Sequence, residues 1–246
     1  MESKLVQVIF FFLFVTVSSA YTPFQYFMHV QFWPAAECQA IGGVNKCHIM
    51  QPSHLQFTIH GLWPANKSSS SSLTCMGDAF NVNGMDDALK KELLSSWWDW
   101  RKGDHVEFWQ REYDKHGKCS DNVFPKTEYF RKTLATYHDF DIAQILQKAN
   151  IVPQPLQPKM SLYKLYSIDQ ITKAIESETG GHSVNIRCYQ QMQKQSKKLI
   201  YLAQVALCYD ESGNNRIDCD PGETTSCKFD DKLPETVPSI AHIKLW

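Results

Sequence analysis

The segment LIYLAQVALCY, residues 199–209, is a continuous apolar run that predicts a buried β-strand. Far upstream, residues 26–32 and 55–60 alternate between apolar and polar side chains, a pattern that predicts two further strands. The long region between them is predominantly helical in pattern. Strands therefore come first, helices next and strands last, and this order favours an α+β fold over a parallel doubly wound sheet. We expect a central antiparallel sheet with a block of helices packed on it.

The helical region divides into recognisable segments. Residues 85–100 combine early acidic residues with spaced apolar residues, and residues 127–149 contain two helical stretches that separate near 138–141. Ser167 and Gln170 have the spacing of a capping box at the start of a further helix. We find no internal repeat and expect one domain.

The N-terminus predicts a secreted protein. Residues 1–20 combine Lys4, an apolar run at 5–17 and small residues at the cleavage position, so we expect a signal peptide followed by a mature domain at 21–246. A transmembrane anchor is the alternative, but the apolar run is shorter than the ~20 residues that a span requires. The mature protein is expected to be extracellular and not membrane-bound.

Two features agree with a secretory route. Asn66 begins the only N-x-S/T sequon, ahead of a serine run, and is the predicted glycosylation site. All eight cysteines follow the predicted cleavage point, so disulfides are expected in an oxidising compartment. Metal ligation is the alternative, suggested by Cys47 beside His48, but the chain has no C-x-x-C pair. Spacing alone leaves the pairing of the cysteines open.

The formal net charge of −1 excludes a surface that is basic throughout. Proteins that bind polyanions over their whole surface need a strongly basic balance. Any nucleic-acid site in this chain must therefore be local.

The charged segment EFWQREYDKHGKCS, residues 107–120, contains a candidate for such a site. On a helix, Glu112, Lys115 and His116 are related as i, i+3 and i+4 and project close together. Gly117 predicts the helix end, which places His116 in the last turn. There the helix dipole and Glu112 favour the protonated form of His116, while Lys115 opposes it. A histidine so placed suits acid–base catalysis. An exposed helix end with an ordinary ion pair is the alternative, and this segment alone leaves both open.

A second histidine, His60, lies on the polar face of the strand at 55–60, which Gly61 and Pro64 are predicted to end. Two histidines with a lysine and a glutamate suit phosphoryl transfer, where an in-line displacement needs a base, an acid and cationic stabilisation. Spacing leaves open whether His60 and His116 meet.

FTIHGLWP at 57–64 and FWQREYDKHGKC at 108–119 resemble the two active-site segments of the ribonuclease T2 family, secreted RNA-cleaving enzymes that include plant self-incompatibility ribonucleases. The resemblance extends from Tyr21 through the cysteine-rich end. It implies a monomeric endoribonuclease that cleaves single-stranded RNA to 2′,3′-cyclic phosphates without metal or cofactor. DNA lacks the 2′-hydroxyl nucleophile and would not be cleaved.

The resemblance also implies a role for each catalytic residue. His116 would be the general base on the 2′-hydroxyl, and His60 the general acid for the departing 5′-oxygen. Glu112 and Lys115 would stabilise the pentavalent phosphorane. The implied disulfides join Cys38 to Cys47, Cys75 to Cys119, Cys188 to Cys227 and Cys208 to Cys219, and the second would anchor the chain just beyond His116.

Substrate contacts are expected from Trp63 and Phe108, which would line the site and the base pocket, and from Arg111. Many family members have a third histidine where this chain has Arg111, which binds phosphate but does not shuttle a proton. Phe32 and Asp99 replace a glutamine and an asparagine that are common in the family, so base preference is left open and Asp99 is a candidate for repelling nucleotides.

Two further questions stay open at this point. Arg111 favours the self-incompatibility class, whereas the pI near 6.7 is lower than expected for it, so a housekeeping or defence ribonuclease is the alternative role. A non-catalytic storage or binding glycoprotein that keeps the ribonuclease fold is the alternative function.

Overall fold

The computed structural model describes residues 24–42, 46–48, 56–67, 73–152, 154–155, 165–192, 198–220, 227, 236–238 and 241–242. The predicted signal peptide at 1–20 and the serine run after Lys67 lie outside these residues. Within the described ranges, none of the helices combines the length and the apolar character that crossing a bilayer would require.

The protein has an α+β fold, as the order of elements predicts. The described strands are β1 (Tyr26–Phe32), β2 (Thr58–Ala65), β3 (Gln154–Pro155), β4 (Leu165–Ser167), β5 (Asn185–Met192), β6 (Lys198–Asp210), β7 (Arg216–Ile217), β8 (Thr236–Pro238) and β9 (Ala241–His242). The described α-helices are α1 (Pro34–Ala40), α2 (Asp87–Ser96), α3 (His105–Lys115), α4 (Thr127–Asp139), α5 (Ile142–Lys148) and α6 (Ile168–Glu178).

The main sheet has the order β2-β1-β6-β5, and β7 pairs with β6. All of its pairings are antiparallel, which confirms the predicted central antiparallel sheet. The apolar run at 199–209 forms most of β6, and every described side chain in it is buried.

Strand β2 differs from its prediction. It begins at Thr58 and continues to Ala65, so the prediction that Gly61 and Pro64 end it is wrong. The strand lies at the edge of the sheet, where a proline without an N–H donor is tolerated. Gly61 pairs with Val30 while Ile59 pairs with Gln31, so His60 is the extra residue of a β-bulge. Bulges redirect a side chain, and this one sets the direction of His60.

The helices follow the sequence signals closely. Helix α2 begins after the N-cap Asp86, whose side chain accepts a hydrogen bond from Leu89, and ends at Ser96, earlier than the predicted residue 100. Helices α4 and α5 are separated at residues 140–141, as expected. The capping box of Ser167 and Gln170 is present at the start of α6.

The core between sheet and helices is rich in aromatic side chains. Trp33, Trp97, Trp109, Tyr129 and Phe130 are all almost fully buried there. A smaller cluster on another part of the sheet includes Trp63. The catalytic candidates lie where β2 meets α3, between rigid aromatic neighbours.

Four disulfides close the described structure, with the pairing that the family resemblance implies. They join Cys38 to Cys47, Cys75 to Cys119, Cys188 to Cys227 and Cys208 to Cys219. The backbone N–H of Cys119 also donates to the carbonyl oxygen of His116 at 3.0 Å. The segment after α3 is therefore held by a covalent link and a hydrogen bond.

Candidate active site

Strand β2 and helix α3 bring the two histidines together around one carboxyl group. Nε2 of His60 lies 3.8 Å from Oε1 of Glu112, and Nε2 of His116 lies 4.0 Å from Oε2 of the same side chain. The indole Nε1 of Trp63 donates a hydrogen bond of 2.9 Å to Oε2 of Glu112. The meeting of His60 and His116, which sequence spacing left open, is thus a feature of the fold.

Two glycines allow this close packing. A Cβ at Gly61 would lie 2.5 Å from both Oε2 of Glu112 and Nε1 of Trp63, in the middle of their hydrogen bond. A Cβ at Gly117 would clash with the ring of Tyr113. Only glycine leaves room for the carboxyl group on one side and for the helix end on the other.

Helix α3 positions Glu112 and the residues that follow it. The helix begins after Asp104, whose side chain accepts from the N–H of Glu107, and it ends at Lys115. His116 is the C-cap, one residue beyond the predicted last turn, and its N–H still donates to the carbonyl oxygen of Glu112 at 2.9 Å. The histidine is therefore held by the end of the helix.

Buried hydrogen bonds hold the backbone of β2 around His60. Nε1 of Trp97 donates to the carbonyl oxygen of His60 at 3.0 Å, and the hydroxyl of Tyr129 donates to that of Leu62 at 2.9 Å. Both donors belong to the aromatic core, so the position of His60 is tied to the packing of the whole domain.

Aromatic rings surround both imidazoles. Trp63 stacks on His116 with 4.8 Å between ring centroids and meets His60 edge-on at 4.9 Å. Phe32 contacts His60 edge-on at 5.2 Å, and Phe108 lies behind it at 6.2 Å. Trp63 and Phe108, the two predicted substrate-contacting aromatics, are thus part of the wall of the site and are largely buried.

Burial dominates the titration of the site. Burial, with help from the charges of Arg187 and Lys115, lowers the pKa of His60 to about 3. Burial, with Lys115 and His60, also lowers the pKa of His116 to about 3. The expectation that the helix end favours protonated His116 is therefore wrong for the free protein, because desolvation outweighs the helix dipole.

The carboxyl group of Glu112 shifts in the opposite direction. Burial raises its pKa to about 7, although the hydrogen bond from Trp63 and the charges of Lys115 and Arg111 oppose the shift. The free site thus favours two neutral imidazoles and a protonated carboxyl group below neutral pH.

Lys115 and Arg111 both lie on exposed positions of α3. The charge of Lys115 acts on both histidines and on Glu112. Nη1 of Arg111 forms an ion pair of 2.9 Å with Glu107, and its guanidinium lies 5.7 Å from the ring centroid of Phe108. Lys115 therefore acts on all three groups of the site, whereas Arg111 is engaged with Glu107 and Phe108.

Asp99 is buried in the turn that follows α2. Its side chain is 3% exposed, and Oδ1 accepts hydrogen bonds from the backbone N–H groups of Arg101 and Lys102. The carboxylate closes a buried turn after α2, so the suggestion that it repels nucleotides has no support in this geometry.

The structure adds three residues that the sequence analysis did not select. Arg187 of β5 lies with Cζ 5.7 Å from the ring centroid of Trp63 and pairs across the sheet with Gln204 of β6. Nε2 of Gln204 donates to Oε1 of Glu37 at 2.9 Å. The sequence contained one signal for Gln204, since it is the only amide side chain in the apolar run LIYLAQVALCY, where a buried polar group needs a partner.

The chain is similar to several known proteins. Residues 24–219 match the Ribonuclease T2 family. The chain is 30% identical over 233 residues to Ribonuclease S-7 of Nicotiana alata, covering 93% of this chain and 95% of the relative. It is 28% identical over 193 residues to a ribonuclease-like storage protein of Panax ginseng, covering 78% of this chain and 74% of that protein.

Solved structures share the fold. Ribonuclease MC1 from bitter gourd seeds superposes with a TM-score of 0.67 at 28% identity, covering 83% of this chain and 97% of that chain. A mutant of that ribonuclease in complex with 5′-GMP superposes with a TM-score of 0.69 at 26% identity, covering 87% of this chain and 99% of that chain.

Proposed function

Since the chain belongs to the ribonuclease T2 family, we propose that it is a metal-independent endoribonuclease that cleaves single-stranded RNA to 2′,3′-cyclic phosphates. The observation that carries the proposal is the placement of His60 and His116 within 4.0 Å of one carboxyl group, Glu112. Such an arrangement supplies a base and an acid to the same reacting phosphate.

In the proposed reaction, His116 is the general base. Its low pKa keeps the imidazole neutral over the physiological range, so that it accepts the proton of the ribose 2′-hydroxyl. The 2′-oxygen attacks phosphorus while the bond from phosphorus to the 5′-oxygen breaks. His60 donates its Nε2 proton to that departing oxygen, and a 2′,3′-cyclic phosphate is left.

His60 must be protonated to act as the acid, although it is neutral in the free site. Arg187 and Lys115 are among the causes of its low pKa. A bound phosphodiester places a negative charge beside these cations and raises the pKa of His60. Substrate binding would therefore favour the protonated form of His60 that acts as the acid.

Glu112 and Lys115 are proposed to stabilise the phosphorane in different ways. With a pKa raised to about 7, Glu112 is largely protonated in mildly acidic solution and donates a hydrogen bond to a phosphorane oxygen. Lys115 supplies a positive charge. A carboxylate that was always ionised would repel the same oxygens, so the raised pKa is what makes Glu112 suitable.

Substrate binding would depend on local charge, since the net charge of the chain is −1. Lys115 and Arg187 both act on His60, and Arg111 acts on Glu112. We propose that these cations hold RNA phosphates and that Trp63 and Phe108 form the wall against which the scissile nucleotide lies. Single-stranded RNA is then the partner of the site, with DNA excluded as a substrate.

Secretion, glycosylation at Asn66 and a single ribonuclease domain at 21–246 are part of the same proposal. Asn66 directly follows β2 and is partly exposed, which suits a modified loop. A self-incompatibility role and a housekeeping or defence role both remain candidates, and similarity to Ribonuclease S-7 at 30% identity favours the first only weakly.

A non-catalytic storage protein is the second candidate function. The similarity to the Panax ginseng storage protein supports it. The intact group of His60, Glu112, Lys115 and His116, with its hydrogen bond from Trp63, supports catalysis instead.

The test is cleavage of a defined RNA oligonucleotide by the purified protein in the presence of a chelator. The expected result is fragments that end in 2′,3′-cyclic phosphate, and an oligonucleotide with a single 2′-deoxy residue should resist cleavage at that residue only. Absence of cleavage in a folded, disulfide-intact sample would favour the storage candidate, and loss of cleavage with chelator would contradict metal independence.

A further inference from the structure

The two ring nitrogens of His60 have different surroundings. Nε2 faces the cleft, where it lies 3.8 Å from Glu112. Nδ1 points into the protein and has no hydrogen bond of normal geometry to any of the residues that the structure describes. A buried polar atom is nearly always paired, so a partner for Nδ1 is expected close by.

Gln204 also has a buried side-chain atom that needs a hydrogen-bond partner. Its side-chain oxygen is also buried without a regular partner in the described part of the chain. The side chain lies close enough to His60 to raise the pKa of the imidazole through a hydrogen bond. One bond between Nδ1 and this oxygen would satisfy both atoms.

Glu37 decides which end of the Gln204 amide faces His60. Oε1 of Glu37 accepts from Nε2 of Gln204 at 2.9 Å, and Oε2 accepts from the hydroxyl of Tyr189 at 2.7 Å. Burial raises the pKa of Glu37, and the hydrogen bonds from Gln204 and Tyr189 oppose this shift. In its ionised form Glu37 only accepts, so the amide nitrogen of Gln204 turns toward Glu37 and the amide oxygen toward His60. An amide oxygen in turn pairs only with a nitrogen that carries a proton.

We propose that Glu37 and Gln204 form a positioning chain that keeps a proton on Nδ1 of His60 and leaves Nε2 for the reaction. The hydrogen bonds of the positioning chain are the same in protonated and in neutral His60, because the Nδ1 proton stays in place when Nε2 gives its proton away. Gln204 and Glu37 touch no reacting atom and act only through His60. The inference deepens the proposed ribonuclease function and rests on it for the kinetic consequences.

Other charged groups also face His60 and must be kept constant in the test. Glu112, Lys115 and His116 approach from the α3 side, and Arg187 approaches from β5. Gln204→Leu changes none of them and removes only the amide. Gln31→Leu is the matched control, because Gln31 is another buried glutamine of the same sheet, 1% exposed, whose position pairs with Ile59 and Val205.

The first experiment compares kcat for two substrates. With RNA, Gln204→Leu should lower kcat by about 10-fold to 100-fold with little change in KM, the loss expected for one hydrogen bond to a charged group. With a ribonucleoside 3′-(4-nitrophenyl) phosphate, whose leaving group needs no proton, the loss should be about 3-fold or less.

The pH profile gives an independent readout. The basic limb of kcat reports the acid, so Gln204→Leu should move that limb to lower pH, and Gln31→Leu should leave it in place. Equal losses on both substrates, or an unmoved basic limb, would overturn the positioning role.

A readout without turnover separates this inference from the proposed function. In wild-type protein labelled with 15N-histidine, NMR should show the neutral His60 ring with its proton on Nδ1, and Gln204→Leu should lose this preference. A wild-type ring protonated on Nε2 would overturn the inference even in an active enzyme. A protein that cleaves neither substrate but keeps the Nδ1 proton would overturn the proposed ribonuclease function and support the positioning chain of Glu37 and Gln204.

Discussion

Replacement of Gly61 by alanine places a methyl group where the site has no space. The new Cβ would lie 2.5 Å from Oε2 of Glu112 and 2.5 Å from Nε1 of Trp63, atoms that are joined by a 2.9 Å hydrogen bond. Relief requires a shift of about 1 Å in one of two buried side chains. Overpacking costs about 1–3 kcal/mol and a lost buried hydrogen bond costs about 1–3 kcal/mol, so Gly61→Ala should lower the free energy of unfolding by about 2–6 kcal/mol.

The same shift displaces Glu112 from both histidines, and a misplacement of about 1 Å in a catalytic group costs on the order of 100-fold in rate. Urea denaturation and turnover on RNA measure the two effects. Gly84→Ala is the matched control, because a Cβ there meets nothing within 4 Å, and it should leave stability within about 1 kcal/mol and leave turnover unchanged. A Gly61→Ala protein with wild-type stability and turnover would refute the packing argument.

Three further changes have definite expected outcomes. Replacing both Cys75 and Cys119 by serine opens a loop with a sequence separation of 44 residues and should lower the free energy of unfolding, measured by denaturation, by about 4 kcal/mol. The kcat should also fall, because the chain after His116 loses its covalent link. Burial lowers the pKa of His29 to about 3, below its unfolded value of about 6.5, so the unfolded state binds the proton first as the pH falls from about 6.5 to about 3. Over this range the free energy of unfolding should fall by about 1.4 kcal/mol per pH unit from His29 alone, and denaturation of His29→Gln at a series of pH values should show a weaker dependence of stability on pH. Arg187→Gln should raise KM for RNA at low salt and reduce the slope of log KM against log salt by about 0.7, whereas an unchanged slope would exclude a phosphate contact.

The sequence predicted strand β6, helix α6 and the candidate-site helix α3, for physical reasons that are local. The run LIYLAQVALCY predicted β6, and the capping box of Ser167 and Gln170 is formed as expected. Glu112, Lys115 and His116 lie within one turn of α3 and its C-cap, so their proximity follows from helix geometry alone.

The remaining features depend on contacts between distant segments. The extension of β2 past Gly61 depends on its edge position, and the bulge at His60 depends on its register with β1. The low pKa of His116 follows from burial under Trp63, which a local charge argument did not include. Gln204 and Glu37 are 167 positions apart, and no local pattern links them.

The central claim is that His60 and His116 act on the same phosphate as acid and base. The most direct measurement is turnover of an RNA oligonucleotide, with product analysis by mass spectrometry, for His60→Ala, His116→Ala and the control His182→Ala, whose histidine pairs with Asp218 away from the site. We predict that each of the first two variants folds and loses about 100-fold to 10,000-fold in cyclic-phosphate production, while the control keeps wild-type turnover. Wild-type turnover by either His60→Ala or His116→Ala would contradict the account.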